Sequence, residues 1–172
     1  MSIQKSIFFV FAFLFSVIIV CPPSDAADTK PADNPGIQWQ PYASGIKAIK
    51  DQKKKGFLHF YTDWCTYCKV MNKNTFTDPK IIAYLNENFI PIRVNADKEK
   101  AVAREFRVSP VPDNWFITED ASSLHIRPGY IPPEELLVML KFLHTDSFKT
   151  MKFPEFIRQQ ENAVSSGKPV TQ

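Results

Sequence analysis

The chain has 172 residues, 44% of them hydrophobic and 23% charged. That composition suits one ordinary globular domain able to bury a core without staples. A net charge of +3 with dispersed lysines excludes the electrostatic footprint of a nucleic-acid-binding protein.

At the N-terminus, Lys5 precedes an unbroken apolar run from Ile7 to Cys21, followed by small residues around Ser24 and Ala26. Basic, apolar and small-residue regions in this order form a secretory signal peptide. The run would make about 22 Å of helix, short of the roughly 30 Å hydrocarbon core of a bilayer. Residues 1–26 are therefore expected to be cleaved after Ala26, with no stable membrane insertion afterwards. Val20 stands where a small residue would precede a lipidated Cys21, which disfavours a lipoprotein. Cleavage leaves Cys65 and Cys68 as the remaining cysteines, an adjacent pair in an exported protein.

Residues 27–38 are polar and proline-bearing and are expected to form a flexible leader. From Ala43 to Lys55 the apolar positions Ala43, Ile46 and Ile49 recur at helical spacing opposite a lysine-rich, solvated face, and Gly56 offers a terminator. Phe57 to Tyr61 has the composition of a buried central strand and leads directly into Trp64-Cys65-Thr66-Tyr67-Cys68-Lys69. A helix is expected from about Cys65 towards Phe76, then a second one opened by Asp78 as N-cap and Pro79 in its first turn. Phe89–Val94 forms the next strand. Asp97 caps a helix from Lys98 to Phe106. Trp115–Ile117 and Leu124–Arg127 supply two more strands, and Pro133 opens an apolar helix through Leu143. Strands separated by helices predict an α/β fold, a mixed central sheet with helices on both faces. A further helix, Glu155 to Ala163, lies beyond what that sheet needs, within a C-terminal extension and disordered tail over 146–172.

Two cysteines separated by two residues on the first turn of a helix can close a small disulfide ring with little backbone movement. Orphan N–H groups and the helix dipole stabilise a thiolate there, and the first sulfur is expected to face solvent. By position, Cys65 would attack a substrate disulfide and Cys68 would resolve the mixed disulfide. Trp64 and Tyr67 would form an apolar rim for an extended substrate segment. A zinc site lacks a second cysteine pair, and haem attachment would want a histidine where Lys69 stands. A purely structural disulfide stays open, although so small a loop stabilises little through chain entropy. No cofactor is implied, because the pair itself stores two electrons.

The run Phe57 to Lys69, the segment Thr75 to Pro79, the strand end Val94-Asn95-Ala96-Asp97 and the later Val111-Pro112 together resemble the thioredoxin superfamily. Within it the chain is similar to the periplasmic C-terminal thioredoxin-like domain of DsbD and related exported proteins, over about residues 39–145. The resemblance implies a thioredoxin-like fold with Cys65 as nucleophile and Cys68 as resolving cysteine. It also implies a cis-proline at Pro112, with Val111 presenting its backbone to a bound peptide; Pro110 is the rival by composition. The chain departs from the family at Thr66 and Tyr67 between the cysteines. His59 stands where the family commonly has a buried acid, and is either a proton acceptor for Cys68 or a packed strand histidine with a satisfied hydrogen bond. Asp113 and Asp63 are expected in solvated or turn-capping roles.

The implied function is periplasmic thiol-disulfide exchange with protein disulfide substrates in the reductive direction, by a monomer supplied by an inner-membrane electron donor. The alternative is a binding module on the same scaffold with a structural disulfide, for which Phe148, Phe153, Phe156 and Ile157 of the extension could form a client surface, unless these aromatics pack back on the domain. A buried, inert Cys65 would favour the module, and an accessible one the enzyme.

Overall fold

In the computed structural model, the structure describes residues 36–165. The signal segment, most of the leader and the tail after Ser165 lie outside them. Among the described residues no helix is long and apolar enough to cross a membrane.

Helix α1 (Tyr42–Gln52) leads into β1 (Gly56–Tyr61), followed by α2 (Thr66–Asn74), α3 (Pro79–Asn88), β2 (Ile90–Asn95) and α4 (Lys100–Glu105). The chain continues through β3 (Asp113–Ile117), β4 (Ser123–Pro128), α5 (Pro133–His144), a short 3-10 turn (Ser147–Lys149) and α6 (Phe153–Ser165). The sheet order is β2-β1-β3-β4. β1 runs parallel to β2 and antiparallel to β3, and β4 pairs antiparallel with β3. The expected mixed sheet with helices on both faces is what forms.

Because side chains alternate across a strand, β1 feeds two cores. Phe57 joins Met71, Phe76, Ile81, Leu85, Phe116 and Leu140 beneath α2, α3 and α5. Leu58 and Phe60 join Ile49, Ile92, Val94 and Ile117 beneath α1, with Phe106 packed against them. With both faces covered, β1 is apolar almost throughout, and its one polar exception, His59, is fully buried.

Several local expectations are corrected. α1 ends at Gln52, where Lys53 adopts a left-handed conformation (φ 53°) and donates its N–H to the Ile49 carbonyl. Gly56 is instead the first residue of β1, where a Cβ would run into the Ile49 side chain. The lysine face is not wholly solvated either, since Lys55 is only 6% exposed, paired with Glu119 at 2.8 Å and Asp146 at 3.0 Å. Folded structure starts before Trp39, because Ile37 is buried in the core beneath α2 and α3. Asp97 caps no helix, for α4 begins only at Lys100. The Asn95 side chain accepts the N–H groups of Asp97 and Lys98 instead.

Asp78 does cap α3, accepting from the N–H groups of Lys80 and Ile81, with Pro79 as the first helical residue. Phe142 packs against Phe148, Phe153 and Phe156, with ring centroids 6.4, 5.2 and 5.2 Å away. The extension's aromatics are thereby turned inward, as a third layer on α5.

Candidate functional site: the cysteine pair at the start of α2

β1 runs into a short turn that delivers Cys65 to the N-cap of α2. Cys65 and Cys68 form a disulfide, with Cα atoms 5.3 Å apart. Helix geometry makes this local: residues three apart lie on one face, one turn along. Cys65 Sγ accepts the backbone N–H of Cys68 at 3.1 Å, so the sulfur occupies the place of a capping oxygen. The partial positive charge of the helix N-terminus falls on it.

The loop before β3 closes the site from the other side. The Val111 carbonyl oxygen lies 3.6 Å from Cys65 Sγ. Val111-Pro112 is a cis peptide, as is Ser109-Pro110, so both prolines weighed from sequence are cis and Pro112 is the one beside the sulfur. Pro112 is buried, and its carbonyl accepts the Gly129 N–H at 2.8 Å.

Contrary to expectation, Cys65 does not face solvent: it is 4% exposed, and Cys68 1%. In the disulfide, its sulfur is turned towards Cys68 and the Val111 carbonyl. The exposed groups are the flanking rings, Trp64 at 69% and Tyr67 at 65%. Trp64 is held in place, since its indole N–H donates to Asp97 at 2.9 Å. Asp63 is exposed and pairs with Lys98 at 3.1 Å, the solvated role expected of it.

His59 lies on the β1 face shared with Phe57 and packs edge-on to Phe76, with ring centroids 4.9 Å apart. Its register partner on β3 is Asn114. The Asn114 amide donates to the carbonyls of Arg127 and Gly129, both at 2.9 Å, and this fixes its oxygen towards His59 Nδ1 at 2.8 Å. In the neutral ring Nδ1 must then carry the proton, and Nε2 keeps a free lone pair. Nε2 is buried and has no hydrogen-bond partner. Burial, aided by the nearby positive charge of Arg93, holds the His59 pKa down at about 4 against the Asn114 hydrogen bond, which works to raise it. The histidine is thus neutral at physiological pH, satisfied at one nitrogen only.

Arg93 closes the far side of this layer. Its guanidinium lies 4.1 Å from the Tyr61 ring centroid, Tyr61 stacks in parallel on His59, and an Arg93 N–H donates to Asn72 of α2 at 3.0 Å. Asp113 is corrected from a solvated role. It is buried, accepts the Trp115 indole N–H at 3.0 Å, and burial raises its pKa.

Asn114 and Arg93 carry no role in the sequence reading. An asparagine next to the apolar run Trp115-Phe116-Ile117 was the available signal, since a buried amide needs partners on both its ends. Among the described residues no group of three His, Cys, Asp or Glu side chains is placed to hold a metal ion.

A family model described as a thioredoxin-like domain matches residues 42–144. Over 97 residues, or 54% of the chain, the sequence is 31% identical to the thiol:disulfide interchange protein DsbD of Haemophilus ducreyi, of whose length it spans only 17%. The oxidised C-terminal domain of DsbD from Neisseria meningitidis superposes with a TM-score of 0.50 at 25% identity, covering 58% of this chain and 89% of that domain. A thioredoxin from Thermus thermophilus gives a TM-score of 0.58 at 24% identity, covering 63% and 87% of the two chains, a likeness of fold.

Proposed function

The chain belongs to the thioredoxin-like domain family, and from that premise we propose that it is an exported, periplasmic thiol-disulfide oxidoreductase acting on protein disulfides in the reductive direction. The observation that carries this reading is Cys65 at the N-cap of α2, its sulfur joined to Cys68 and flanked by the Val111 carbonyl.

In the proposed cycle the reduced Cys65 thiolate attacks one sulfur of a client disulfide. The client S–S bond breaks, a Cys65–client disulfide forms, and the released client thiolate takes up a proton. Cys68 then gives up its thiol proton and attacks Cys65 Sγ, expelling the second client thiolate. The client gains two electrons, and the pair is left as the Cys65–Cys68 disulfide. A dithiol donor, proposed to be a membrane protein as the DsbD likeness suggests, would return the pair to its reduced form. Trp64, Tyr67 and the backbone of Val111 beside Pro112 are the proposed seat of the client segment.

His59 is proposed as the acceptor of the Cys68 proton. Supporting this is the Nε2 lone pair that Asn114 leaves free, while the burial that holds the His59 pKa at about 4 makes it a weak base and works against the role.

Burial of Cys65 favours a second reading, in which the disulfide is structural and the fold a binding module. Equilibrating residues 27–172 against glutathione buffers, with thiol alkylation and mass readout, separates the two. A reversible transition near or below about −270 mV supports a reductant, and one near about −120 mV makes the protein an oxidant. Resistance to every buffer until unfolding would make the disulfide structural.

A further inference from the structure

A groove of about 460 Å³ runs along α4, lined by Ala96, Lys100, Ala103, Arg104, Arg107 and Val108. Three of these residues are apolar and three are cations. None of those three cationic side chains has an ion-pair partner among the described residues. The nearby Glu105 acts towards Tyr42, whose pKa it helps burial to raise, on the side of α1.

Two of the lining residues lie close in the chain to residues of the redox site. Ala96 is the chain neighbour of Asp97, which holds Trp64. Val108 precedes Val111 by three residues, so their Cα atoms are at most about 11 Å apart, and the Val111 carbonyl touches Cys65 Sγ. A client segment of four or five extended residues, spanning roughly 14–17 Å, could therefore reach from the cysteine into the groove.

We propose that this groove is a specificity subsite for an acidic polypeptide segment flanking the client's disulfide. The inference rests on the oxidoreductase reading and adds to it the charge of the client. Complementary charge at a rim acts mainly on encounter rate and register, so the subsite would select among clients without altering the chemistry at Cys65. Three exposed cations that each contribute a fraction of a kcal/mol give a preference of about tenfold.

The test uses two synthetic peptides with one identical intramolecular disulfide, flanked by two glutamates in one and two glutamines in the other. The pre-reduced protein is expected to reduce the acidic peptide about tenfold faster at low salt, with the advantage shrinking at 0.5 M salt as screening shortens to a few ångströms. In the combined variant Lys100→Gln, Arg104→Gln, Arg107→Gln the preference should vanish while the neutral peptide keeps its rate. Equal rates on both peptides with the unmodified protein would overturn the proposal. Should neither peptide be reduced, the oxidoreductase reading fails, and the groove is judged by anisotropy of a labelled acidic peptide whose cysteines are serines. Saturable binding that the variant loses supports the subsite, and identical binding by both proteins removes it. Equally tight binding of a single-stranded oligonucleotide or of anionic phospholipid vesicles would also overturn it, because the surface would then select charge alone.

Discussion

The two ends of β1 treat buried polarity in opposite ways. At the end where β1 begins, Lys55 is buried against two carboxylates, Glu119 and Asp146, and their attraction outweighs the burial that would lower its pKa, so the pKa rises. At the end that leads into the cysteines, His59 Nε2, Thr62 Oγ1, Arg93 Nε, Asn95 Nδ2 and Asp113 Oδ1 are all buried without a hydrogen-bond partner. The strand register puts His59, Arg93, Asn95 and Asp113 in adjoining rows of β1, β2 and β3, and Thr62 directly follows β1. Unpaired buried polar groups each cost free energy, and these five gather where β1 leads into the cysteines. One end of the strand pairs its buried charge, and the other holds hydrogen-bonding capacity in reserve.

Asn114 is the sharpest place to break that contrast, because it holds the reserve end together. Asn114→Ala strands the His59 N–H and the carbonyls of Arg127 and Gly129. At about 1–3 kcal/mol per stranded group, a loss of about 4 kcal/mol in urea unfolding is expected. A change below about 1 kcal/mol would mean the buried amide contributes little.

The next largest effect is a pH dependence. His59 is held near pKa 4 in the fold, against about 6.5 in an unfolded chain. Between those values the unfolded state binds a proton that the folded state refuses, so stability is full above about pH 6.5 and falls as pH drops towards 4. The full span corresponds to about 3 kcal/mol. His125 and His144, whose pKa values are also lowered by burial, add in the same sense, and Asp113 opposes. His59→Phe should flatten most of this slope; an unchanged slope would assign it elsewhere.

At the secured end, Lys55→Ala leaves Glu119 and Asp146 facing each other without their cation. Both carboxylates are about 40% exposed, so solvent softens the loss to about 2 kcal/mol, with disulfide reduction rates unaffected. A large loss of activity in that variant would show that the two ends are coupled. The smallest effect is Asp97→Ala, which frees the Trp64 indole: stability should hold, and KM for a protein disulfide should rise about threefold as the rim loses its fixed orientation.

How much of this was legible in the sequence follows from what each feature depends on. The cysteine spacing, the Asp78-Pro79 helix start and the apolar strands are local patterns, and they appear where expected. The end of α1 was misplaced because Lys53, not Gly56, takes the left-handed conformation, a choice settled by Ile49 packing over Gly56. Asp97 caps no helix because the Asn95 side chain holds Asp97 and Lys98 in a turn, and α4 opens only at Lys100, without a side-chain cap. The burial of Cys65, the His59–Asn114 pair and the Lys55 node all join residues far apart in the chain. No periodicity within a single segment encodes such pairings, which follow from strand register and the return of the C-terminal segments.

The inward turn of Phe148, Phe153 and Phe156 onto Phe142 bears on where this protein can be cut. A domain boundary at residue 145, natural from the family pattern alone, would strip the cover from the outer side of α5 and present a bare aromatic patch to water. Such a fragment would be prone to self-association. The smallest well-behaved unit should therefore run through α6, and limited proteolysis ought to spare the stretch between Thr145 and Phe156 that a boundary at 145 would have offered as a linker.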